Sequence, residues 1–236
     1  MRSDGGGQRY EYDAAGRLIN VLDEHGELLE SYSYYGASNL RLRTQFGDTA
    51  IHPRYYMWEG NSVIAEFDDV PHSGPTIPTA SDGPIISTAP DEGPASPDEA
   101  LEMTDLEWAR SYVYLGGRLL STISSATDSI GEIVQYHHPD RLSTRLITNA
   151  ISNDMTSQET FPFGVEIPGS SNGGMGRQFT SYDRSGASGL DYAVNRYYDP
   201  QQGRFNRVDP IGMQATSLES TLTLNLYAYV KGDPVN

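Results

Sequence analysis

Cysteine is absent from all 236 residues. That excludes a disulfide framework and a thiolate metal site, and it leaves the redox compartment open, because a chain without thiols suits cytosol and exterior equally. Lysine is nearly absent: Lys231 stands alone beside 15 arginines. With 32 acidic residues against 16 basic ones, the net charge is −16. Such a chain repels nucleic acid and anionic membrane, since both need a cationic face. No apolar run approaches the roughly 20 residues that span a bilayer. The opening Met1-Arg2-Ser3-Asp4-Gly5-Gly6-Gly7 lacks the apolar core of a secretion signal. Neither membrane insertion nor a signal peptide is expected, and localisation stays open. Gly5-Gly6-Gly7 and Gly173-Gly174 open no strand–turn–helix pattern that would cradle a phosphate.

Tyrosine, glycine and proline are plentiful, at 16, 24 and 14 residues. Tyrosine suits half-buried strand positions, with an apolar ring and a polar tip. Together with frequent turn residues it indicates a turn-rich, all-β chain.

A repeat runs through the sequence. Tyr12 opens Y-D-A-A-G-R-L, Tyr34 opens Y-Y-G-A-S-N-L and Tyr56 opens Y-M-W-E-G-N-S-V-I, each 22 residues after the last. Tyr114 (Y-L-G-G-R-L-L) and Tyr136 (Y-H-H-P-D-R-L) repeat the same spacing of 22. That period fits two short strands and two turns, so each unit is a β-hairpin that must stack on its neighbours to bury a face. In the first unit Asp13 and Gly16 bracket a tight turn, Asp bonding local backbone and Gly taking positive φ. Leu18, Val21 and Leu22 continue as a strand, His25-Gly26 turns the chain and Leu28 begins the next strand. Alternation in Glu30–Tyr34 places Tyr32 and Tyr34 on one face.

Residues 68–109 break the pattern, with ten acidic residues, no Lys or Arg, and seven prolines from Pro71 to Pro97. Low hydrophobicity and charge of one sign predict a disordered insertion at a hairpin tip, from Val70 to about Ala100. Glu99–Arg110 reads as a possible short helix. Thr144–Ile147 reads as a strand, Asn149–Glu159 as polar turn, Phe161-Pro162-Phe163-Gly164 as a turn and Pro168–Gly176 as a Gly/Ser loop.

The C-terminal stretch is the densest in motifs. It holds Gly189-Leu190, Tyr192, Arg196-Tyr197-Tyr198-Asp199-Pro200, Gly203-Arg204-Phe205, Asp209-Pro210-Ile211-Gly212, Asn225-Leu226-Tyr227 and Tyr229. In this order, and with Tyr12-Asp13, Gly16-Arg17-Leu18 upstream, the chain resembles the Rhs/YD-repeat family in its repeat-associated core. The resemblance implies stacked antiparallel hairpins forming part of a spiralling β-shell, closed by a loop-rich C-terminal core or plug. It divides the chain into YD-repeat hairpins (1–69), an acidic Pro-rich insertion (70–105), degenerate repeat strands (106–178) and the core segment (179–236). It implies as partners other YD repeats or shell segments, a toxin or effector domain as cargo and possible glycans, in a bacterial protein that is exported or on the cell surface. No cofactor is implied.

Asp209 is the sharpest candidate for chemistry. In the family resembled, two D-P-x-G motifs supply paired aspartates implicated in cleaving the chain in cis, by the shared-proton logic of aspartic proteases. Asp209-Pro210-Ile211-Gly212 matches the first motif. Asp233-Pro234-Val235-Asn236 does not match the second, because its fourth residue is Asn. Asp209 is therefore expected as half of a dyad at most, and otherwise as a turn residue with Pro210 and Gly212. Asp199-Pro200 with Gly203 reads as another turn, and Arg196, Arg204 and Arg207 as partners of nearby carboxylates.

His137-His138-Pro139-Asp140 has metal-ligand types. Neighbours on a strand point to opposite faces, so the two imidazoles do not converge and no metal site is expected. Tyr-rich faces also suit a carbohydrate- or protein-binding module, although tyrosine at strand period more often packs. Unpaired edges at Arg9–Leu22 are expected to make the chain self-associate. The leading expectation is a structural shell fragment that is not an enzyme as the chain stands, beyond a single cleavage in cis. The alternatives are the self-cleaving core and the binding module.

Overall fold

The computed structural model describes residues 2–3, 7–71, 104–126, 131–140, 144–170, 176–216 and 221–234. Among them is no α-helix; the regular elements are strands and one-turn 3-10 segments. Twelve strands form one antiparallel meander in sequence order: β1 (Arg2–Ser3), β2 (Arg9–Tyr12), β3 (Leu18–Leu22), β4 (Leu28–Tyr34), β5 (Arg41–Phe46), β6 (Arg54–Glu59), β7 (Ser62–Pro71), β8 (Thr104–Leu115), β9 (Arg118–Ser125), β10 (Glu132–Pro139), β11 (Thr144–Asn149) and β12 (Met155–Ser157). A second, four-stranded sheet follows: β13 (Asp183–Arg184), β14 (Asp191–Tyr192), β15 (Tyr197–Asp199) and β16 (Arg204–Phe205).

The repeat tyrosines fall one per hairpin. Tyr12, Tyr34, Tyr56, Tyr114 and Tyr136 lie on β2, β4, β6, β8 and β10, so 22 residues carry the chain across two strands and back. The more deeply buried ladder is Tyr10, Tyr32, Tyr56 and Tyr112, facing inward from β2, β4, β6 and β8; it coincides with the repeat tyrosine at Tyr56 and precedes it by two residues on the other three strands. On β10 His137 takes the inward place and Tyr136 points out. β-Bulges shift the register in β2, β4, β6, β7 and β8 among others, which moves the inward residue from one unit to the next.

The small sheet lies on the inner face of the first hairpins. Tyr10, Leu18, Val21 and Tyr32 form one core with Leu190, Tyr192 and Tyr197. The Tyr32 and Tyr197 rings are 5.0 Å apart and those of Tyr192 and Tyr197 5.2 Å apart. Burying each such ring is worth about 1.5–3 kcal/mol. Tyr56, Val63, Tyr112, Leu119 and Ile147 form a second core on β6–β11. A third, Phe179, Tyr198 and Phe205 with Tyr229 against them, holds the C-terminal segment together.

Several sequence expectations need correction. Residues 104–115, read in part as a short helix, are strand β8. Its pairing with β7 from Ala65↔Ser111 to Pro71↔Thr104 supplies partners that an isolated reading of local propensity omits. Val70 and Pro71, assigned to the insertion, end β7; residues 72–103, which hold most of it, lie outside the described residues. Met155–Ser157, expected as turn, pairs with β11. Arg9–Leu22 is not an open edge: β2 pairs with β1 and β3, and the two outer strands of the sheet are β1 and β12. Among the described residues no helix is long and apolar enough to cross a membrane.

Candidate functional site

The YD turn is the best-preserved repeat motif, and its geometry shows what the residue types do. Asp13 accepts from the Arg17 backbone N–H at 2.8 Å and from Arg17 Nε at 2.7 Å. Gly16, at φ +75°, donates to the Asp13 carbonyl at 2.9 Å and closes the turn. Arg17 Nη1 then reaches the next unit and donates to the Gly36 and Ser38 carbonyls at 2.7 and 2.8 Å. Its guanidinium stacks over the Tyr34 ring, and the Tyr34 hydroxyl donates to the Leu18 carbonyl. Asp, Gly and Arg thus form one clamp that closes a hairpin and ties it to its successor.

The core-segment motifs seat on that first turn from below. Arg207 donates through Nη1 to the Gly16 carbonyl, and the Tyr12 hydroxyl meets the Asn206 carbonyl at 3.4 Å. Asp199 caps the turn between β15 and β16, accepting from Gln201 N at 2.9 Å and Gln202 Nε2 at 2.7 Å; Pro200 sits inside that turn and Gly203 ends it at φ +63°. Arg204 donates to Gln202 Oε1, and Arg207 to backbone, so among the described residues neither takes the carboxylate partner expected of it. Tyr198 is fully buried and donates to the Phe163 carbonyl at 2.8 Å, and Tyr229 packs on Tyr198 and Phe205. Phe161–Gly164 is a turn, with Gly164 N donating to the Phe161 carbonyl at 2.8 Å.

Asp209 sits in a turn as well. Its carboxylate accepts from Ile211 N at 3.0 Å and pairs with Arg196 at 2.9 Å, while Gly212 N donates to its carbonyl at 2.8 Å. Arg196 lies 3.6 Å above the Phe205 ring. Beside Asp209 is a cavity of about 120 Å³ walled by Leu222, Asn225, Leu226 and Lys231. Tyr227 donates its backbone N–H to Asn225 Oδ1 at 3.2 Å and its carbonyl accepts from Phe205 N at 2.9 Å, so the N-L-Y element holds this turn against β16. Asp209 is the single carboxylate among the described lining residues.

His137 and His138 face opposite sides. His137 is buried between the Thr122 and Thr144 hydroxyls at 3.1 and 3.2 Å, and His138 is exposed. Burial and the nearby Arg110 charge push the His137 imidazole down to about 4. Among the described residues no cluster of His, Cys, Asp and Glu could hold a metal ion.

The most polar part of the interior was not among the sequence candidates. Where the small sheet leaves the inner face, a cavity of about 500 Å³ lies against β4–β8. Asp183 of β13 reaches across it to Arg41 of β5 in a buried ion pair. Arg41 lies 4.1 and 4.6 Å from the Tyr56 and Tyr192 ring centres. Burial pushes the Asp183 carboxyl up, but Arg41, Arg177 and Arg54 outweigh it and hold it below the usual carboxylate range. Glu66 receives the Tyr112 hydroxyl and pairs with Arg54 at 3.3 Å. Arg184 holds the fully buried Asp191 with two bonds of 2.7 Å, yet burial pushes that carboxyl up to about 6. A signal exists in the sequence for part of this wall, Glu30, Arg54 and Arg110, though not for Arg41 or Asp183. Gln8, Glu30, Arg54 and Arg110 each stand two residues before a buried tyrosine, and period two puts both on one face.

No protein-family model and no curated protein matches the sequence. Solved structures do resemble the fold. The crystal structure of TcdB2-TccC3 in complex with Cdc42 superposes over 97% of this chain with a TM-score of 0.60 at 19% identity. That of TcdB2-TccC3 alone gives 0.56 at 17% identity, and TcdB2-TccC3 without its hypervariable C-terminal region gives 0.61 at 19%. This chain spans about a tenth of the length of each matched chain, covering 10% of it. The fold is therefore Rhs-like.

Proposed function

We propose that this chain is a wall segment of a larger Rhs-type β-shell, together with the core segment that lines the wall's inner face, and that the shell encloses a cargo domain. The observation that carries this reading is the seating of the C-terminal segment on the first hairpins. Gln8–Ser188, Tyr12–Asn206 and Arg207–Gly16 join residues 180, 194 and 191 positions apart. Such contacts fold the C-terminal segment back onto the first hairpins of a sheet that stays open at β1 and β12. Open edges are completed by further strands, and other YD repeats are the partners proposed for them. The likeness to TcdB2-TccC3 without its hypervariable C-terminal region supports a wall that keeps its shape independently of such a region.

Electron microscopy of the native gene product tests the reading. A hollow chamber, with the β13–β16 segment facing its lumen, supports it. A solid particle with no chamber overturns it.

A second reading, cleavage in cis with Asp209 as one of two carboxylates, draws on the D-P-I-G turn and the cavity beside it. Arg196 Nη2 fixes the position of the Asp209 carboxylate at 2.9 Å. The Asp209→Asn variant of the native product tests it: cleavage that stops supports a catalytic carboxylate, and cleavage that continues leaves Asp209 to its turn.

A further inference from the structure

We propose that the outer edge of β8, from Thr104 to Trp108, is a docking site for an extended polypeptide segment that alternates basic and apolar residues and adds to the sheet as a strand. Three observations carry this. The first is an open ladder. β8 pairs with β7 in unbroken register from Pro71↔Thr104 to Phe67↔Trp108. Its other neighbour, β9, pairs with it only from Arg110↔Ser124 to Leu115↔Arg118. Among the described residues no strand pairs with that side of Thr104–Trp108. On the far side β6 stops at Arg54↔Asp68, with one further bond from Asp69 N to the Pro53 carbonyl at 2.8 Å. The ends of β7 and β8 therefore leave the sheet as a two-stranded ribbon. Such a ribbon is marginally stable alone, and every second residue of its outer strand aims an N–H and a C=O outward. The two edges differ: β7 ends on Pro71, which has no N–H to donate, whereas T-D-L-E-W holds neither Pro nor Gly.

The second is charge. Cross-strand partners share a face, so Asp105 and Glu107 lie with Val70 and Asp68 on one side of the ribbon. Asp105 and Glu107 are exposed, and Glu107 makes no ion pair among the described residues. Asp68 is already held by Arg54 through two bonds. A second copy added at this edge would set acids against acids. Lys or Arg opposite Asp105 and Glu107 is favoured instead, and the net charge of −16 draws a basic partner to the surface.

The third is the opposite face. Phe67, Leu106 and Trp108 lie there with Asp69, which pairs with Arg43 at 3.8 Å. Leu106 is 57% exposed, and the Trp108 indole is fixed by donating to the Ser111 hydroxyl at 2.8 Å. Apolar residues at every second position of the added strand would cover Leu106 and Trp108. In strand addition the ladder gives affinity and the alternate side chains give selectivity. The alternation of β8 thus specifies its occupant.

Calorimetric titration of the full chain at constant ionic strength tests the proposal. The probe is a capped hexapeptide of alternating lysine and valine. Its control carries three lysines followed by three valines, with the same charge and composition but no alternation. The alternating peptide should bind about tenfold tighter or more, and should slow amide hydrogen exchange over 104–108 while leaving β10 unchanged. The double variant Asp105→Lys, Glu107→Lys should bind that peptide about tenfold more weakly and gain binding of an alternating glutamate–valine hexapeptide. Misfolding cannot imitate that gain. Equal binding of the two lysine peptides, unchanged exchange over 104–108, or a double variant with the wild-type preference would overturn the proposal. So would slow exchange of the outward amides of Thr104–Trp108 in the free chain. In a monomer by sedimentation, it means that another segment of this chain covers the edge, and in a dimer that a second copy does.

Discussion

Arg41 and Asp183 are 142 residues apart and form one buried ion pair, their side chains 4% and 14% exposed. It fastens the small sheet to β5, beside the Trp58 indole, which donates to the Arg41 carbonyl at 2.7 Å. Removing one partner of a buried pair strands the other charge. Asp183→Asn should therefore lower unfolding free energy by about 3–5 kcal/mol, read from urea denaturation. In a double-mutant cycle with Arg41→Met the two changes should couple by about 1–3 kcal/mol. Effects that simply add would mean the pair is incidental.

Gly164 tests the P-F-G turn. It sits at φ +91°, and a Cβ there would lie 2.7 Å from the ring of the fully buried Phe179. Gly164→Ala combines backbone strain with overpacking and should cost about 2–5 kcal/mol. Gly169, at φ +88° with open space around it, isolates the first term. Gly169→Ala should cost about 1 kcal/mol. Equal thermal shifts for both variants would remove Phe179 from the explanation.

These residues also mark how far the sequence can be read. The 22-residue period, the Asp13–Gly16 turn and the Phe161–Gly164 turn are local, and local chemistry fixes each of them. β8 was misread at its start because Glu107 and Trp108 favour no one state alone; pairing with β7 decides. The Arg41–Asp183 pair was invisible because nothing in either segment says the other is opposite it. The inward face is hidden in the same way: Tyr136 keeps the repeat spacing yet is 46% exposed, and His137 is buried in its place. Asp209 was legible as a turn, while its pairing with Arg196 was legible only as an arginine in need of a nearby carboxylate.

Arg17 should resist even its closest replacement. Lysine keeps the charge near Asp13 but cannot hold Asp13 and donate to the Gly36 and Ser38 carbonyls in one plane. Arg17→Lys should cost about 1–2 kcal/mol by loss of those bonds. Arg118→Lys, at the exposed arginine of the Tyr114 unit, should stay within about 0.5 kcal/mol of the wild type. If both variants behave alike, the clamp between successive hairpins contributes nothing.

His137 makes stability depend on pH in a defined window. Its ordinary value is 6.5 and the folded one is about 4. Between those values the unfolded chain binds more protons, so stability rises with pH through the window. The penalty begins as pH falls below about 6.5 and is complete below about 4, where it reaches about 3 kcal/mol. Asp191, pushed up to about 6, acts in the opposite sense over much of the same range, so the wild-type curve alone does not isolate His137. The difference between wild type and His137→Gln does, since Asp191 is common to both. At pH 8 the variant should be less stable by about 1–2 kcal/mol, having lost the ring's bonds to Thr122 and Thr144. As pH falls from 7 to 4, that gap should close and then reverse. Thermal midpoints of the two proteins that stay parallel from pH 8 to 4 would show that the imidazole is protonated inside the fold at its ordinary value.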